Sequence, residues 1–239
     1  MGLFDQQIKQ VQDFLSEKQS RGQLRQFQPG SYRDWPLEST LVLEEDAALE
    51  LGNPGVGSLS FLIWSEAKAE TEDRILLIGP DLKEAGQKSI PFCQIVRVSG
   101  RFRDEYECYC QLRDAVLNTR LKGFMTRTLP SQQTLWCRVN QEALDKGFSL
   151  AHLAAALIKN LKKIEFVSAA ELIFVTSGKQ DLEQLKAPAC DAERVVAALM
   201  KMVEEESFDC ASCDFQEVCD VVEELKMIRK KLQKGATRQ

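Results

Sequence analysis

The sequence has a single histidine, His152, among 239 residues, and only three tryptophans and three tyrosines. It also has no excess of basic residues, since 31 Lys and Arg face 36 Asp and Glu for a formal net charge of -5. Nucleic-acid-binding proteins usually show a basic balance, so this composition argues against that class. No apolar run approaches the roughly 20 residues that span a bilayer, and the first ten residues lack the apolar core of a secretion signal. We therefore expect a cytoplasmic protein that binds neither nucleic acid nor a membrane.

What the sequence does contain is the ordinary composition of a globular protein, with 44% hydrophobic and 28% charged residues. Short runs rich in Val, Ile, Leu and Phe are bounded by Gly, Pro or Asp, a pattern that predicts strands. These runs are STLVLEE, SLSFLIWS, RILLIG, PFCQIVRVSG, QTLWCRVN and AELIFVTS. Segments whose apolar residues have helical spacing lie between some of these predicted strands. Strands interleaved with helices predict an α/β fold, a mixed sheet flanked by helices.

The predicted helices divide the chain into three parts. LFDQQIKQVQDFL is an amphipathic helix within an N-terminal segment of residues 1–36. An α/β domain follows over 37–186 and includes a helix from Arg103 that closes near Gly123, and SLAHLAAALIKNLKK with Ser149 as its N-cap. Residues 187–239 are expected to form a helical, cysteine-bearing C-terminal appendage.

Three of the eight cysteines fall within ten residues of that appendage, as Cys210, Cys213 and Cys219. Cysteines clustered in a reducing compartment indicate a metal, and a C-x2-C pair lets two thiolates converge on one site. A [4Fe-4S] cluster needs four thiolates, so we predict such a cluster with Cys190 as the fourth ligand. The spacing is similar to the iron–sulfur staple of RecB-like nucleases, although the nuclease carboxylates are not evident here.

Other interpretations of the cysteines stay open. Zinc or unligated thiols would also explain the tail, although a Cys/His zinc finger is disfavoured by the lone histidine. Cys110 is an alternative fourth cluster ligand. If Cys108 and Cys110 lie on a helix they point about 200° apart and cannot grip one ion, whereas in an extended loop they could chelate nickel or copper. We expect Cys93, Cys137 and Cys108 to be core thiols.

LGNPGVGS (51–58) has the glycine spacing of a phosphate loop. It lacks the lysine, however, and precedes a strand where a phosphate loop would precede a helix. We therefore interpret it as a turn.

Two longer segments carry a family resemblance. SLSFLIWSEAKAETEDRILLIGPDLKEAGQKSIPFCQIVRVSG and LWCRVNQEALDKGFSLAHLAAALIKNLKK resemble the middle region of the β subunit of carbon monoxide dehydrogenase/acetyl-CoA synthase, over about residues 38–186. The residues that fall on the family's second segment are Trp136, Arg138, Ala143, Lys146, Gly147, Phe148 and His152.

The resemblance implies that Trp136 and Arg138 contact coenzyme A, because the family's middle domain is thought to use a tryptophan and arginines for this purpose. Most of the family's surrounding basic residues are replaced here. We also expect the family's nickel-bearing C-terminal domain to be absent from this chain. The structural alternatives are a half-buried strand aromatic for Trp136 and a packing or hydrogen-bonding role for His152.

Two functions follow from these features. The first is an iron–sulfur accessory or electron-transfer protein of anaerobic one-carbon metabolism, whose partner is a ferredoxin, a corrinoid protein or a larger enzyme complex. The alternative is an enzyme of methyl or acyl transfer that uses a metal centre and coenzyme A. A scaffold subunit, in which the cluster only fastens the C-terminal helices, is a third interpretation. No acid–base pair stands out as a catalytic constellation.

Overall fold

The computed structural model of the protein describes residues 2–66, 72–127 and 134–204, together with 215, 218, 221, 222 and 224–228. Two β-sheets and the helices that flank them make up this part of the chain. The strands are β1 (Leu24–Phe27), β2 (Ala47–Leu51), β3 (Ser58–Glu66), β4 (Arg74–Ile78), β5 (Ser89–Ile90), β6 (Phe92–Gly100), β7 (Phe124–Thr126), β8 (Cys137–Asn140) and β9 (Val167–Val175). The helices are α1 (Asp5–Ser20), α2 (Glu105–Leu117), α3 (Gln141–Asp145), α4 (Leu150–Leu161) and α5 (Lys179–Glu204). The predicted fold class, a mixed α/β fold with a helical C-terminal region, is confirmed.

The larger sheet has the strand order β1-β4-β9-β6-β3. Pairing within it is mixed, because β1–β4 and β6–β9 are antiparallel whereas β4–β9 and β3–β6 are parallel. Its three inner strands are almost wholly buried, as their continuous Val, Ile, Leu and Phe runs predict for strands covered on both faces.

Three charged residues lie in register across the inner strands of this sheet. Glu171 on β9 stands opposite Arg74 on β4 and opposite Arg97 on β6. Its carboxylate lies 2.5 Å from Arg74 Nη2 and 3.5 Å from Arg97 Nη1. A shift of one residue would move Glu171 to the other face and leave it without these partners, so the triplet specifies the pairing of all three strands.

The smaller sheet has the order β5-β2-β8-β7, with β8 antiparallel to both of its neighbours. Residues 52–57 turn from β2 into β3, so the turn interpretation of LGNPGVGS is confirmed.

Helix α4 covers β4 and β9 and also packs against α2. Ser149 is its N-cap, as predicted, and its side chain accepts a hydrogen bond from the backbone N–H of His152. The buried face follows helical spacing, with Leu150, Leu153, Leu157 and Leu161 almost inaccessible to solvent.

Helix α5 packs against β3 and α1 and continues through Pro188, close to the expected start of the appendage at residue 187. A proline inside a helix removes one backbone hydrogen bond. The apolar face is nevertheless unbroken on both sides of it, because Leu185, Ala189, Ala192 and Val195 are all buried. Burial of this face therefore carries the helix across the proline and across the expected boundary at residues 186 and 187.

Two local expectations are wrong. The run STLVLEE is not a strand. Its contacts with the segment around β7 are hydrogen bonds between backbone and side chain rather than a backbone ladder, since Gly123 N–H donates to Thr40 Oγ1 and Val42 N–H donates to the sulfur of Met125. Helix α2 ends at Leu117 rather than near Gly123, and Asn118 occupies its C-cap. None of the described helices is long and apolar enough to cross a membrane.

Gly79, which follows β4, lies very close to the backbone of the residues that follow β9. It has φ of 100°, and an added Cβ would lie 2.4 Å from the backbone nitrogen of Ser177. Gly86 also has a positive φ, 59°, but a Cβ added there would meet no atom within 4 Å beyond its chain neighbours. Gly86→Ala should lower the free energy of unfolding by about 1 kcal/mol, from backbone strain alone. Gly79→Ala should lower it by at least about 2 kcal/mol more, from the clash, in urea unfolding. An equal loss of the free energy of unfolding in the two variants would contradict the close approach of Gly79 to Ser177.

Candidate functional site

The residues that the sequence singled out in the smaller sheet lie on one face of it. Glu50 on β2 is directly opposite Arg138 on β8. Trp136 comes two residues before Arg138, so the strand alternation places both on the same face. Arg127, just after β7, donates its backbone N–H to the carbonyl of Trp136 at 2.6 Å and extends this ladder. We call Arg127, Trp136, Arg138 and Glu50 the Trp136 cluster.

Arg138 is committed to ion pairs. Its Nε donates to Glu50 Oε1 at 2.6 Å, and its Nη2 lies 3.3 Å from Glu44 Oε2. The side chain is 7% exposed and that of Glu50 12% exposed, whereas Glu44 is in solvent. Asn53 Nδ2 donates to the second oxygen of Glu50 at 2.7 Å. Both carboxylate oxygens of Glu50 are thus satisfied, as a buried charge requires.

Trp136 is half-buried, and the arginines contact its ring. The guanidinium carbon of Arg127 lies 3.9 Å from the ring centroid, and that of Arg138 lies 5.6 Å from it. Both distances are within the range of a cation–π interaction. Arg127 is exposed, and among the described carboxylates none lies within ion-pair distance of it.

The two arginines therefore differ in what they can do. Arg138 is buried with its charge balanced, so it positions the strand and the indole. Arg127 presents an exposed guanidinium on a flat aromatic surface, which is a combination suited to a phosphate or carboxylate attached to a planar group.

His152 lies in an aromatic cluster, with its ring centroid 5.2 Å from that of Tyr32 and 5.3 Å from that of Trp35. Its Nδ1 is 2.7 Å from Ser149 Oγ. Burial lowers the pKa of His152, while the charge of Asp81 acts in the opposite direction. The packing and hydrogen-bonding role expected for this histidine is confirmed.

The other residues of the family-like segment also have structural roles. Asn140 caps α3 through its side chain, and Phe148 is 1% exposed. Gly147 adopts φ of 94° after α3, a conformation that favours glycine. Lys146 forms an exposed pair with Glu142 one turn away.

Among the cysteines, Cys93, Cys108 and Cys137 are buried, as predicted. Burial raises the pKa of the Cys93 thiol and raises the pKa of Cys137 to about 12, so these two thiols stay protonated and are poor ligands. Cys108 and Cys110 both lie on α2, so the helical premise of the argument against a shared ion holds.

Cys190 is exposed on α5. Cys210, Cys213 and Cys219 lie outside the described residues, so the cluster stays a prediction. Within the described ranges, no group of three His, Cys, Asp or Glu side chains is arranged to hold a metal ion.

Sequence reasoning missed Glu50 and Arg127. Glu50 carried a signal, because it is a charged residue inside the apolar run AALEL and must find a partner when that run forms a strand. Nothing in the sequence around Arg127 indicated that it would lie beside Trp136.

Comparison with known proteins gives the relationship of this chain. Residues 37–181 match the CdhC family, the CO dehydrogenase/acetyl-CoA synthase complex beta subunit. This span covers β2 to β9, including the Trp136 cluster. The chain belongs to this family. The resemblance seen in the sequence is thereby confirmed.

Individual relatives in the family match only in part. The acetyl-CoA decarbonylase/synthase complex subunit beta of Methanothermobacter thermautotrophicus is 38% identical over 95 residues, 38% of this chain and 20% of that protein. The corresponding subunit of Methanopyrus kandleri is 30% identical over 142 residues, which cover 58% of this chain and 30% of that protein. Subunit beta 1 of the complex from Methanosarcina thermophila is 24% identical over 184 residues, which cover 74% of this chain and 39% of that protein. The chain thus spans about a fifth to two fifths of the length of these relatives.

The Glu50–Arg138 pair should be costly to break. Arg138→Met leaves a buried carboxylate without its partner, which costs about 3–5 kcal/mol in comparable pairs. Lys146→Met, which breaks a pair whose side chains are 61% and 57% exposed, is the control and should cost less than about 1 kcal/mol. Chemical denaturation of both variants measures the contrast.

The same pair should have a pH signature. Burial acts to raise the pKa of Glu50, but hydrogen bonds from Arg138 and Asn53 hold it below its usual value. A lowered folded-state pKa stabilises the fold above the unfolded pKa of about 4.3, and this contribution is lost as the pH falls through the folded-state pKa. The stability gap between the natural protein and Arg138→Met should therefore narrow in acid. A gap that is constant with pH would show that the carboxylate is not the group involved.

Proposed function

We propose that this chain is an iron–sulfur module that works in anaerobic one-carbon metabolism with a larger complex of the acetyl-CoA decarbonylase/synthase type. The family membership of residues 37–181 carries the proposal. The relatives are named as subunits of such a complex, and the chain matches a limited share of each. Because the relatives are named as subunits of a complex, we assign this chain a role within an assembly of that type.

The position of Cys190 supports a [4Fe-4S] cluster. Phe215 packs against the hydrophobic core, and the ring of Phe215 lies 5.9 Å from Lys201 Nζ on α5. Lys201 is 11 residues after Cys190, so the two residues project from nearly the same side of α5, about 16 Å apart along its axis. Phe215, which lies between Cys213 and Cys219 in the sequence, is therefore beside the face of α5 that presents Cys190.

When bound, a cluster of this kind either transfers one electron at a time or acts as a structural cross-link between parts of the chain. For the first role, a ferredoxin or a corrinoid protein would be the redox partner. For the second, the cluster only holds the C-terminal helices in place, and its midpoint potential would lie outside the range of such a partner.

Metal analysis after anaerobic purification tests this proposal. The full chain should hold about four irons and four sulfides and give a reduced paramagnetic signal. Cys190→Ser should lose most of the iron, whereas Cys110→Ser on α2, the matched control, should retain it. Iron loss in Cys110→Ser alone would move the fourth ligand to α2. A colourless protein that holds only zinc would refute the cluster.

The second candidate function is methyl or acyl transfer with coenzyme A, and the Trp136 cluster is the observation that favours it. Arg127, stacked on the Trp136 ring, offers an exposed charge for a phosphate and a planar face against which the adenine can stack. Arg138 serves to position the indole rather than to bind the ligand, since its guanidinium already pairs with Glu50 and Glu44.

Calorimetric titration with coenzyme A tests this second function. Binding should be saturable, and Arg127→Gln or Trp136→Leu should each weaken it about tenfold, the loss expected for one charge-assisted or cation–π contact. Arg21→Gln, at the exposed C-cap of α1 and paired with Glu17, is the control and should leave the affinity unchanged. Unchanged affinity in Arg127→Gln would exclude this surface as the binding site.

A further inference from the structure

A second cavity lies in the larger sheet, away from the Trp136 cluster. Its floor is formed by β3 and β6, where Ser60 stands directly opposite Gln94 and Leu62 opposite Val96. Helices α2 and α5 form its walls. The volume is about 70 Å³, several times the 10–15 Å³ or so that one water requires. The cavity can therefore hold a small organic molecule.

The interior of this cavity is apolar with a polar floor. Val96 on β6 and Val196 on α5 line its sides. Ser60 and Gln94 are 2% and 3% exposed, and they are polar residues in strands whose other buried positions are mostly apolar. A packed core would carry apolar residues at such facing positions. The floor thus favours a ligand whose inner end is polar or polarisable.

Two opposite charges stand at the same cavity. Arg113 on α2 and Glu193 on α5 both line it, and Tyr109 lies beside them. The guanidinium carbon of Arg113 is 5.6 Å from the Tyr109 ring centroid, and its Nη2 is 3.6 Å from Asp114, whose side chain is 60% exposed. Arg113 Nε is buried and has no hydrogen-bond partner among the described residues. The Arg113 side chain as a whole is 32% exposed, so its guanidinium can pair with an anionic group at the mouth of the cavity.

We propose that this cavity binds a free α-amino acid with a small side chain. The carboxylate would pair with Arg113, the ammonium group would pair with Glu193, and the side chain would lie between Val96 and Val196 with its end at Ser60 and Gln94. A simple carboxylate would meet repulsion from Glu193, and a simple amine would meet repulsion from Arg113. The zwitterion satisfies both charges, and the volume limits the side chain to a few heavy atoms.

Ligand-observed NMR of the full chain with each of the twenty protein amino acids tests the proposal. One or a few amino acids with small side chains, such as serine, threonine or cysteine, should bind saturably. For the best of them, the carboxylate-only and amine-only analogues should bind at least about tenfold more weakly, the loss of one charge-assisted contact. Failure of all twenty to bind would overturn the proposal.

Variants separate the two charges from the cavity itself. Arg113→Met and Glu193→Gln should each weaken binding of the amino acid about tenfold, and Glu193→Gln should tighten binding of the carboxylate-only analogue. Val196→Phe should fill the cavity and abolish binding while the protein still unfolds cooperatively. Arg21→Met, at the C-cap of α1, is the control and should leave amino-acid binding unchanged. The proposal would also be overturned if the amino acid still bound to Val196→Phe, or if neither Arg113→Met nor Glu193→Gln changed its affinity.

Discussion

Strands β6 and β9 pair antiparallel along nearly their whole length, and the helices of the larger sheet take their positions from the ends of these two strands. Helix α4 leads into β9, α5 follows it, and α2 follows β6. At Gly100 the two chain segments approach closely, because a Cβ there would lie 2.1 Å from the carbonyl oxygen of Phe166. A side chain there would separate the strands, and with them the helices that form the walls of the cavity at Ser60 and Gln94.

Both sheets set their register with a carboxylate that is buried opposite an arginine. In the larger sheet Glu171 lies between arginines of the two neighbouring strands, and in the smaller sheet Glu50 faces Arg138. Buried ion pairs add little net stability compared with apolar residues of equal volume, but breaking them is costly. They therefore act against alternative registers. In the smaller sheet this use of Arg138 leaves Arg127 as the arginine available to a ligand.

The family relationship and the cysteine-bearing tail concern different parts of the chain. The matched residues, 37–181, hold both sheets except β1, whereas α1 and most of α5 lie outside them. These two helices are nevertheless joined to each other by the buried Lys18–Asp181 pair at 2.7 Å and pack against β3. Cys190 is presented on one of them. The helix that presents Cys190 is thus integrated with the matched region of the chain.

The sequence by itself determined the elements whose signals are local. Apolar spacing and the Ser149 cap predicted α4, continuous apolar runs predicted β6 and β9, and the order of segments indicated the family. Tertiary structure alone decided three other features. Pro188 stays inside α5 because the apolar face on both sides of it is buried, and STLVLEE fails as a strand because its residues bond to distant parts of the chain through side chains. Glu50 meets Arg138 across 88 positions. Periodicity reports which face of an element is apolar, but it does not report which element covers that face, and the energies of those long-range contacts exceed local preferences.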